Sequence, residues 1–264
     1  MPKSSTDSDD DKMREQGIKS EINDFLHSEG ISACGVATFK KLPQRLEDFS
    51  PRILLKGARA IICYGVPIPK GIIYARSDNL DLYWRYCNTQ YRTLDSVSNK
   101  LCLFLEEKHC SARPVYSCFP WKIANRQFRG HVPLVYWAEE AGLGRLSKCG
   151  LLVTPKYGTR ILLGAVITTQ ELEPDEKVKE DICPPSCFHC IDACPVKAIK
   201  RTGKVDHNLC IRHSSSNPLL SLVLDNSQIR KNYPLDKILN TVAVDDHGTY
   251  SCFECLAVCP LNIG

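Results

Sequence analysis

Eight cysteines between Cys183 and Cys259 dominate the chemistry open to this chain. Six of them form two copies of one pattern, Cys187-x2-Cys190-x3-Cys194-Pro195 and Cys252-x2-Cys255-x3-Cys259-Pro260. Cys183 precedes the first copy, and Cys210 lies between the two. Closely spaced thiolates wrap backbone around one small volume while a distant fourth closes the cage, which is what a cubane iron–sulfur cluster needs. A proline after the last cysteine suits a chain leaving such a site, because its φ is fixed and it has no N–H. A pair of zinc sites is the alternative, since C-x2-C also serves zinc. The twofold C-x2-C-x3-C-P run is an iron–sulfur pattern rather than a zinc one.

In two-cluster ferredoxins the last cysteine of each run ligates the other cluster. The same crossover here assigns one 4Fe–4S cluster to Cys183, Cys187, Cys190 and Cys259, and a second to Cys194, Cys210, Cys252 and Cys255. No cysteine of the eight is left over. The gap from Cys183 to Cys187 has three residues, Pro184-Pro185-Ser186, where the usual run has two. Either a loop absorbs the extra residue, or Cys183 stands outside and a three-iron cluster results. Seven further cysteines, namely Cys34, Cys63, Cys87, Cys102, Cys110, Cys118 and Cys149, sit mostly in apolar context, where free cysteine acts as a small buried hydrophobe.

The elements that must position these groups alternate in type. Residues 1–12 are Ser- and Asp-rich and read as a solvated tail. Ile18, Ile22, Phe25 and Leu26 mark one face of a helix that Gly30 stops. Ala33–Ala37 and Ala58–Val66 read as short buried strands, and a further strand is expected over Arg160–Thr169. Leu94, Val97, Leu101, Phe104 and Leu105 give a helix across Tyr91–Glu107. This alternation predicts an α/β (α+β) domain over residues 13–176. The segment Glu171–Lys177 reads as a linker to a ferredoxin-like, two-cluster domain over 177–264. With 264 residues, 43% hydrophobic content and balanced charge of +4, the chain can bury a real core, and extensive disorder is excluded. Fifteen cysteines without a secretory leader or an apolar run of membrane length predict a cytoplasmic protein with no membrane contact. The small charge excess gives no reason to expect a nucleic-acid partner.

A second signature precedes the cysteines. Ala138–Arg145 ends in Gly142-Leu143-Gly144 and runs into Lys148-Cys149-Gly150-Leu151-Leu152-Val153-Thr154-Pro155-Lys156-Tyr157-Gly158. Glycines there bring bare backbone against a neighbour, which is either tight helix–strand packing or a flat, bulky cofactor. It is not the dinucleotide fingerprint, because the third glycine is missing and the pair sits at a helix end.

Those two stretches, with Glu171-Leu172-Glu173-Pro174-Asp175 and Cys187-Phe188-His189-Cys190-Ile191-Asp192-Ala193-Cys194-Pro195, resemble the epoxyqueuosine reductases and, more distantly, the corrinoid reductive dehalogenases. The resemblance covers about Ala138–Ile199 and Cys252–Pro260, and more weakly Gly17–Val66. It implies a nitroreductase-like domain that binds cobalamin, followed by a two-cluster domain that reduces it. On that resemblance the corrinoid lies against Gly142, Leu143, Gly144, Lys148, Gly150 and Leu152, with Arg212 and Phe253 approaching from the cluster side. Cys149 falls where the macrocycle is wrapped, and packing is preferred over cobalt contact. The implied activity is a cobalamin-dependent reduction of a small-molecule substrate. The alternative is an electron-transfer protein or reductive activator serving a separate corrinoid protein.

Two departures matter. The family's aspartate, in a Val-Asp-Ser-Ala-Pro setting, has no counterpart: Arg113-Pro114-Val115-Tyr116-Ser117-Cys118 stands there, and no aspartate lies between Asp95 and Asp175. A proton would then come from Tyr116, His131, Tyr136 or water, with Tyr116 first because the dehalogenases use tyrosine. The family's helical extension for transfer RNA is also missing, which argues against that substrate. Leu82–Tyr86 could roof a planar ligand or belong to a helix core, and His189 could tune a cluster sulfur. Lys200, Arg201, Lys204, Arg212 and His213 form a basic side suited to an acidic electron donor such as a ferredoxin or flavodoxin.

Overall fold

Two apolar octets build the centre of the molecule. Ala60–Pro67 and Ile161–Thr168 are each apolar along nearly their whole length and buried almost throughout, so both faces of their sheet must be covered. The computed structural model describes residues 5–39, 51–74, 80–117, 121–124, 127–130, 132–214 and 252–262, with backbone alone at 5–15, 80–81, 121–130 and 212.

The elements, in chain order, are α1 (Ser5–Ser28), β1 (Ala33–Thr38), β2 (Ala60–Pro67), α2 (Lys70–Tyr74), α3 (Leu80–Glu107) and β3 (Ala112–Val115). Then come β4 (Trp121–Ala124), β5 (Gln127–Gly130), α4 (Leu134–Glu140), β6 (Arg145–Leu146), β7 (Leu152–Val153) and β8 (Ile161–Thr168). The cysteine-rich part contributes the short helices α5 (His189–Asp192), α6 (His207–Ser214) and α7 (Glu254–Ala257). The main sheet has the order β1-β2-β8-β3, and every pairing in it is antiparallel. The mixed α/β class therefore stands, but its sheet is not the parallel arrangement that alternating helices and strands suggest. β2 finds its partner, β8, about a hundred residues further along the chain.

Side chains leave the sheet alternately to two cores. Ile62, Tyr64, Leu162 and Val166 face α1 and α3, joining Ile22, Leu26, Leu94 and Leu101. Ile61, Cys63, Leu163 and Ile167 face α4, where Trp137 is fully buried. Tyr64 is closed off completely, and its hydroxyl sits 2.5 Å from Ser98 Oγ, so the buried oxygen is satisfied. Phe253, Leu256 and Ala257 of the last cysteine run belong to the first of these cores. The cysteine-rich part is thus packed into the sheet layer as well as joined to it.

The helix expected over Tyr91–Glu107 begins at Leu80, and the strands fall within one or two residues of their expected bounds. The first helix starts at Ser5, inside the segment expected as a tail, where acidic residues are the composition favoured at a helix N-terminus. The linker segment is tied down. Asp175 accepts from Val36 N–H at 2.8 Å and from Lys19 Nζ at 2.7 Å, and its own N–H donates to Val36 O at 2.9 Å. Lys177 pairs with the nearly buried Glu140, while Arg145 bridges Glu139 and Asp181. Among the described residues no helix is long and apolar enough to cross a membrane.

Candidate iron–sulfur site

The first cysteine run turns on α5, a single helical turn that buries Cys190 and Ile191. Around it, Ala198, Ile199, Cys194 and the half-buried Val205 form a core of a few residues. So small a core gains little from burial on its own.

One cleft is lined by Cys183, Cys187, Cys190 and Cys259, together with Cys149, Cys255, Ser147 and His189. Four of its six cysteines are the crossover set, Cys183, Cys187, Cys190 and Cys259; the other two are Cys149 and Cys255. Cys259 is carried there by the segment that follows it. Asn262 is fully buried, accepts from Thr159 N–H at 2.9 Å and Thr159 Oγ1 at 3.1 Å, and donates to Leu256 O at 2.6 Å. Gly158 has φ +60°, and a Cβ there would lie 2.4 Å from Leu261 O, so the chain end seats directly on bare backbone. Asn262 escaped the sequence reading, and the only hint of it is a polar residue placed two beyond Cys259-Pro260.

The second set gathers too. Burial pushes the Cys210 thiol up to about 11, with Cys252 and Cys194 adding to the rise. Cys252 is raised by burial as well, and Cys194 stands close enough to contribute. Cys255 is pushed well above the usual thiol range, first by Cys149 and then by burial, with Cys210 and Cys252 nearby. Among the described residues no three His, Cys, Asp or Glu side chains close around a single metal ion. The donor set fits clusters: two groups of four soft thiols, one group lining an open cleft.

Lys148 fixes the irregular Cys183–Cys187 loop. Its Nζ donates to Pro184 O at 2.5 Å, Pro185 O at 2.9 Å and Cys187 O at 2.9 Å. The extra residue is therefore absorbed in a pinned loop, and Cys183 remains in the cleft lining. Phe188 lies between two cations, 5.1 Å from Lys148 Nζ and 4.6 Å from the Arg201 guanidinium.

The other assigned residues divide. Gly142 has φ +78°, and a Cβ there would meet Glu176 O at 2.3 Å; at Gly144 it would meet Val153 O at 2.1 Å. The close approach at both is to the chain's own backbone, which is the packing alternative. Leu143 and Leu152 lie in the second core, and Phe253 stacks on Tyr83 at 4.4 Å in the first. Tyr83 thus makes Leu82–Tyr86 part of the core rather than a roof. Gly150 packs near Val205. Arg212 is in α6, with its side chain outside the described residues, as are His131 and Cys118. Tyr136 is half-buried on α4. Tyr116, at the end of β3, is 42% exposed, and its hydroxyl donates to Asn99 at 3.2 Å, so it is not a core aromatic.

Cys149 packs, as expected. Its neighbours are cluster cysteines: Cys190 and Cys255 lie within hydrogen-bonding reach, and Ser147 Oγ is 3.1 Å away. Those neighbours hold its thiol well below the usual range despite burial. Among the other described free cysteines, Cys63, Cys87 and Cys102 are buried, Cys34 donates to Asn23 and Cys110 to Gln170; burial pushes Cys87 and Cys102 each up to about 12.

A four-stranded antiparallel sheet between helices, with the second cysteine run packed into one of its cores, defines an iron–sulfur protein of mixed α/β fold. Residues 183–262 match the family described as 4Fe-4S double cluster binding domain. The chain resembles the epoxyqueuosine reductases: it is 26% identical to that of Bacillus subtilis (strain 168) over 274 residues, covering 94% of this chain and 64% of the relative. The crystal structure of selenomethionine-labelled epoxyqueuosine reductase superposes with a TM-score of 0.61 at 23% identity, covering 94% of this chain and 66% of that one. The catabolic reductive dehalogenase NpRdhA shares the fold at a TM-score of 0.58 and 13% identity, covering 92% of this chain and 32% of that one. The chain spans about two thirds of the length of the curated relatives it matches.

Proposed function

We propose that the chain is an iron–sulfur reductase carrying two 4Fe–4S clusters, one on Cys183, Cys187, Cys190 and Cys259 and one on Cys194, Cys210, Cys252 and Cys255. The observation that carries this reading is Cys259 lying in one cleft with the first run, as a crossed pair of clusters requires. When bound, the clusters supply one-electron reduction at low potential. The chain's own part is to hold eight thiols in two groups, to pin the long loop through Lys148, and to close the site with the Asn262 clamp. In this reading the protein works in the cytoplasm, where thiols stay reduced. The exposed Lys197, Lys200, Arg201 and Lys204 offer an acidic ferredoxin or flavodoxin a docking side next to Phe188.

The finer reading is that the electrons serve a corrinoid, which when bound supplies a strongly reducing cobalt centre. Polar atoms that the fold leaves unpartnered fit a polar ligand: Trp84 Nε1 and Asn88 Nδ2 lie one turn apart on α3. Tyr116, adjacent to Ser117, is then the proton donor to a small-molecule substrate. A second reading, electron delivery to a separate corrinoid protein, is favoured by one observation. Gly142, Leu143, Gly144, Leu152 and Phe253 are committed to packing within the chain.

Anaerobic purification with iron and sulfide analysis tests the clusters, with about eight of each per chain expected. Adding cobalamin separates the two finer readings. A base-off corrinoid spectrum with tight binding supports the first, and no spectral change overturns it in favour of the second.

A further inference from the structure

We propose that Lys148 is a positioning residue that decides the iron count of the first cluster, by keeping Cys183 in place as its fourth ligand; the inference rests on the cluster reading above. The loop from Cys183 to Cys187 cannot knit itself together. Pro184 and Pro185 have no N–H to give, and the loop's one internal backbone bond runs from Cys187 N–H to Pro184 O at 3.1 Å. Pro184, Pro185 and Ser186 are all exposed, so packing does not hold them either. Upstream, two residues before Cys183, Asp181 pairs with Arg145 at 2.9 Å. Asp181 is 77% exposed, and such a pair contributes about 1 kcal/mol at most.

The other three ligands of that cluster have supports of their own. Cys187 and Cys190 lie on either side of Phe188, whose carbonyl accepts from Ile191 N–H at 2.9 Å and Asp192 N–H at 3.0 Å in the α5 turn. Cys259 O accepts from Asn262 N–H at 3.1 Å, inside the Asn262 clamp. For Cys183 the support is Lys148. An ammonium has three N–H donors, and the carbonyls of Pro184, Pro185 and Cys187 take one each, at 2.5, 2.9 and 2.9 Å. Lys148 in turn stands on the sheet layer: β6 and β7 pair on either side of it, Ser147 N–H donates to Leu151 O at 2.9 Å, and Gly150 takes φ +80° to close the turn. Four thiolates complete a four-iron cluster, and a cubane held by three has one iron without a protein ligand, the one whose loss leaves a three-iron cluster. The residue added between Cys183 and Cys187 is thus compensated by a side chain from the β6–β7 turn.

The test is Lys148→Met and Lys148→Arg in the full chain with its clusters, read by iron content, by EPR of the oxidised protein and by alkylation of the native protein mapped to single cysteines. The methionine variant is expected to fall from about eight irons to about seven, to show a three-iron signal, and to expose Cys183 alone among the eight ligands to alkylation. Arginine keeps donors but in a planar fork, so it should retain more of the fourth iron than methionine does. In a Cys183→Ala background, changing Lys148 should add nothing to the spectrum. A methionine variant with two intact four-iron clusters and an unreactive Cys183 would overturn the proposal. Loss of both clusters together would overturn it as well, since Lys148 would then serve folding at large. Wild-type protein that fails to hold two clusters sinks the cluster reading itself, which is a separate result from an unchanged variant.

Discussion

The sheet layer and the cysteine-rich part hold their shapes by different means. Between them, β2 and β8 bury 15 of their 16 residues, and the two faces feed separate cores that α1, α3 and α4 cover. Among its described residues, the cysteine-rich part has helices of four to eight residues and a core of five buried residues around Cys190. At about 25 cal/mol per Å² of apolar surface, the first can stand on burial, and the described residues of the second gain far less from it. What remains for the second is ligation, together with docking onto the sheet through Phe253, Lys148 and Asn262. The site's geometry is therefore borrowed in part from the rigid layer, and in the two-cluster reading its local fold depends on ligation.

The sharpest way to break that contrast is to strip the metal. Chelation under reducing conditions should abolish amide protection over residues 183–214 and 252–262 while leaving β2 and β8 protected, as read by hydrogen exchange. Simultaneous loss in both regions would mean that the sheet, too, depends on the clusters. Next in size, Cys259→Ser should remove about four of the eight irons and disturb the cluster of the first run. An EPR change confined to the Cys252–Cys255 cluster would contradict the crossover. Within the sheet layer, Leu94→Ala empties a fully buried position beside Gly164 and should cost about 2–5 kcal/mol in denaturation, with the iron content unchanged. Iron loss in that variant would show that the two regions are coupled more tightly than their packing suggests.

How much of this could be read from residues alone follows from the same contrast. The octets around Ile62 and Val166 announce themselves, because burial on two faces leaves a continuous apolar run. Their antiparallel pairing does not, since β2 and β8 are joined by a hundred residues whose helices mimic a crossover unit. The eight cysteines proposed as ligands stand out because cluster chemistry fixes residue type and spacing over short distances. The corrinoid positions show the reverse. Gly142 and Gly144 carry a pattern that either a cofactor or a backbone carbonyl would satisfy, and only the fold shows Glu176 and Val153 filling those spaces. Cys149, Lys148 and Asn262 were weighed lightly or missed for one physical reason. Their partners lie about 40 to 100 residues away, and a single polar residue in a turn carries no periodicity.

The smallest expected effect separates burial from function at the edge of the sheet. Asp95, on α3, accepts from Ser117 N–H at 2.9 Å, and burial raises its pKa above the usual carboxylate range, with that hydrogen bond offsetting part of the rise. A carboxyl whose folded pKa is raised binds its proton more tightly in the native state. Its contribution to stability is therefore full below the unfolded value, near 4, and is lost as pH climbs through the folded value. Asp95→Asn keeps an oxygen for Ser117 and can never carry charge. At neutral pH the variant should be more stable by a few tenths to about 1 kcal/mol, a figure kept small because the group retains contact with solvent. The gap should narrow as pH falls toward 4, read as the difference in urea midpoint between variant and wild type. A variant less stable than wild type at neutral pH would mean that the charge of Asp95 is wanted where it stands, next to Ser117 and Tyr116. The missing acid would then have a candidate on the helix rather than on the strand.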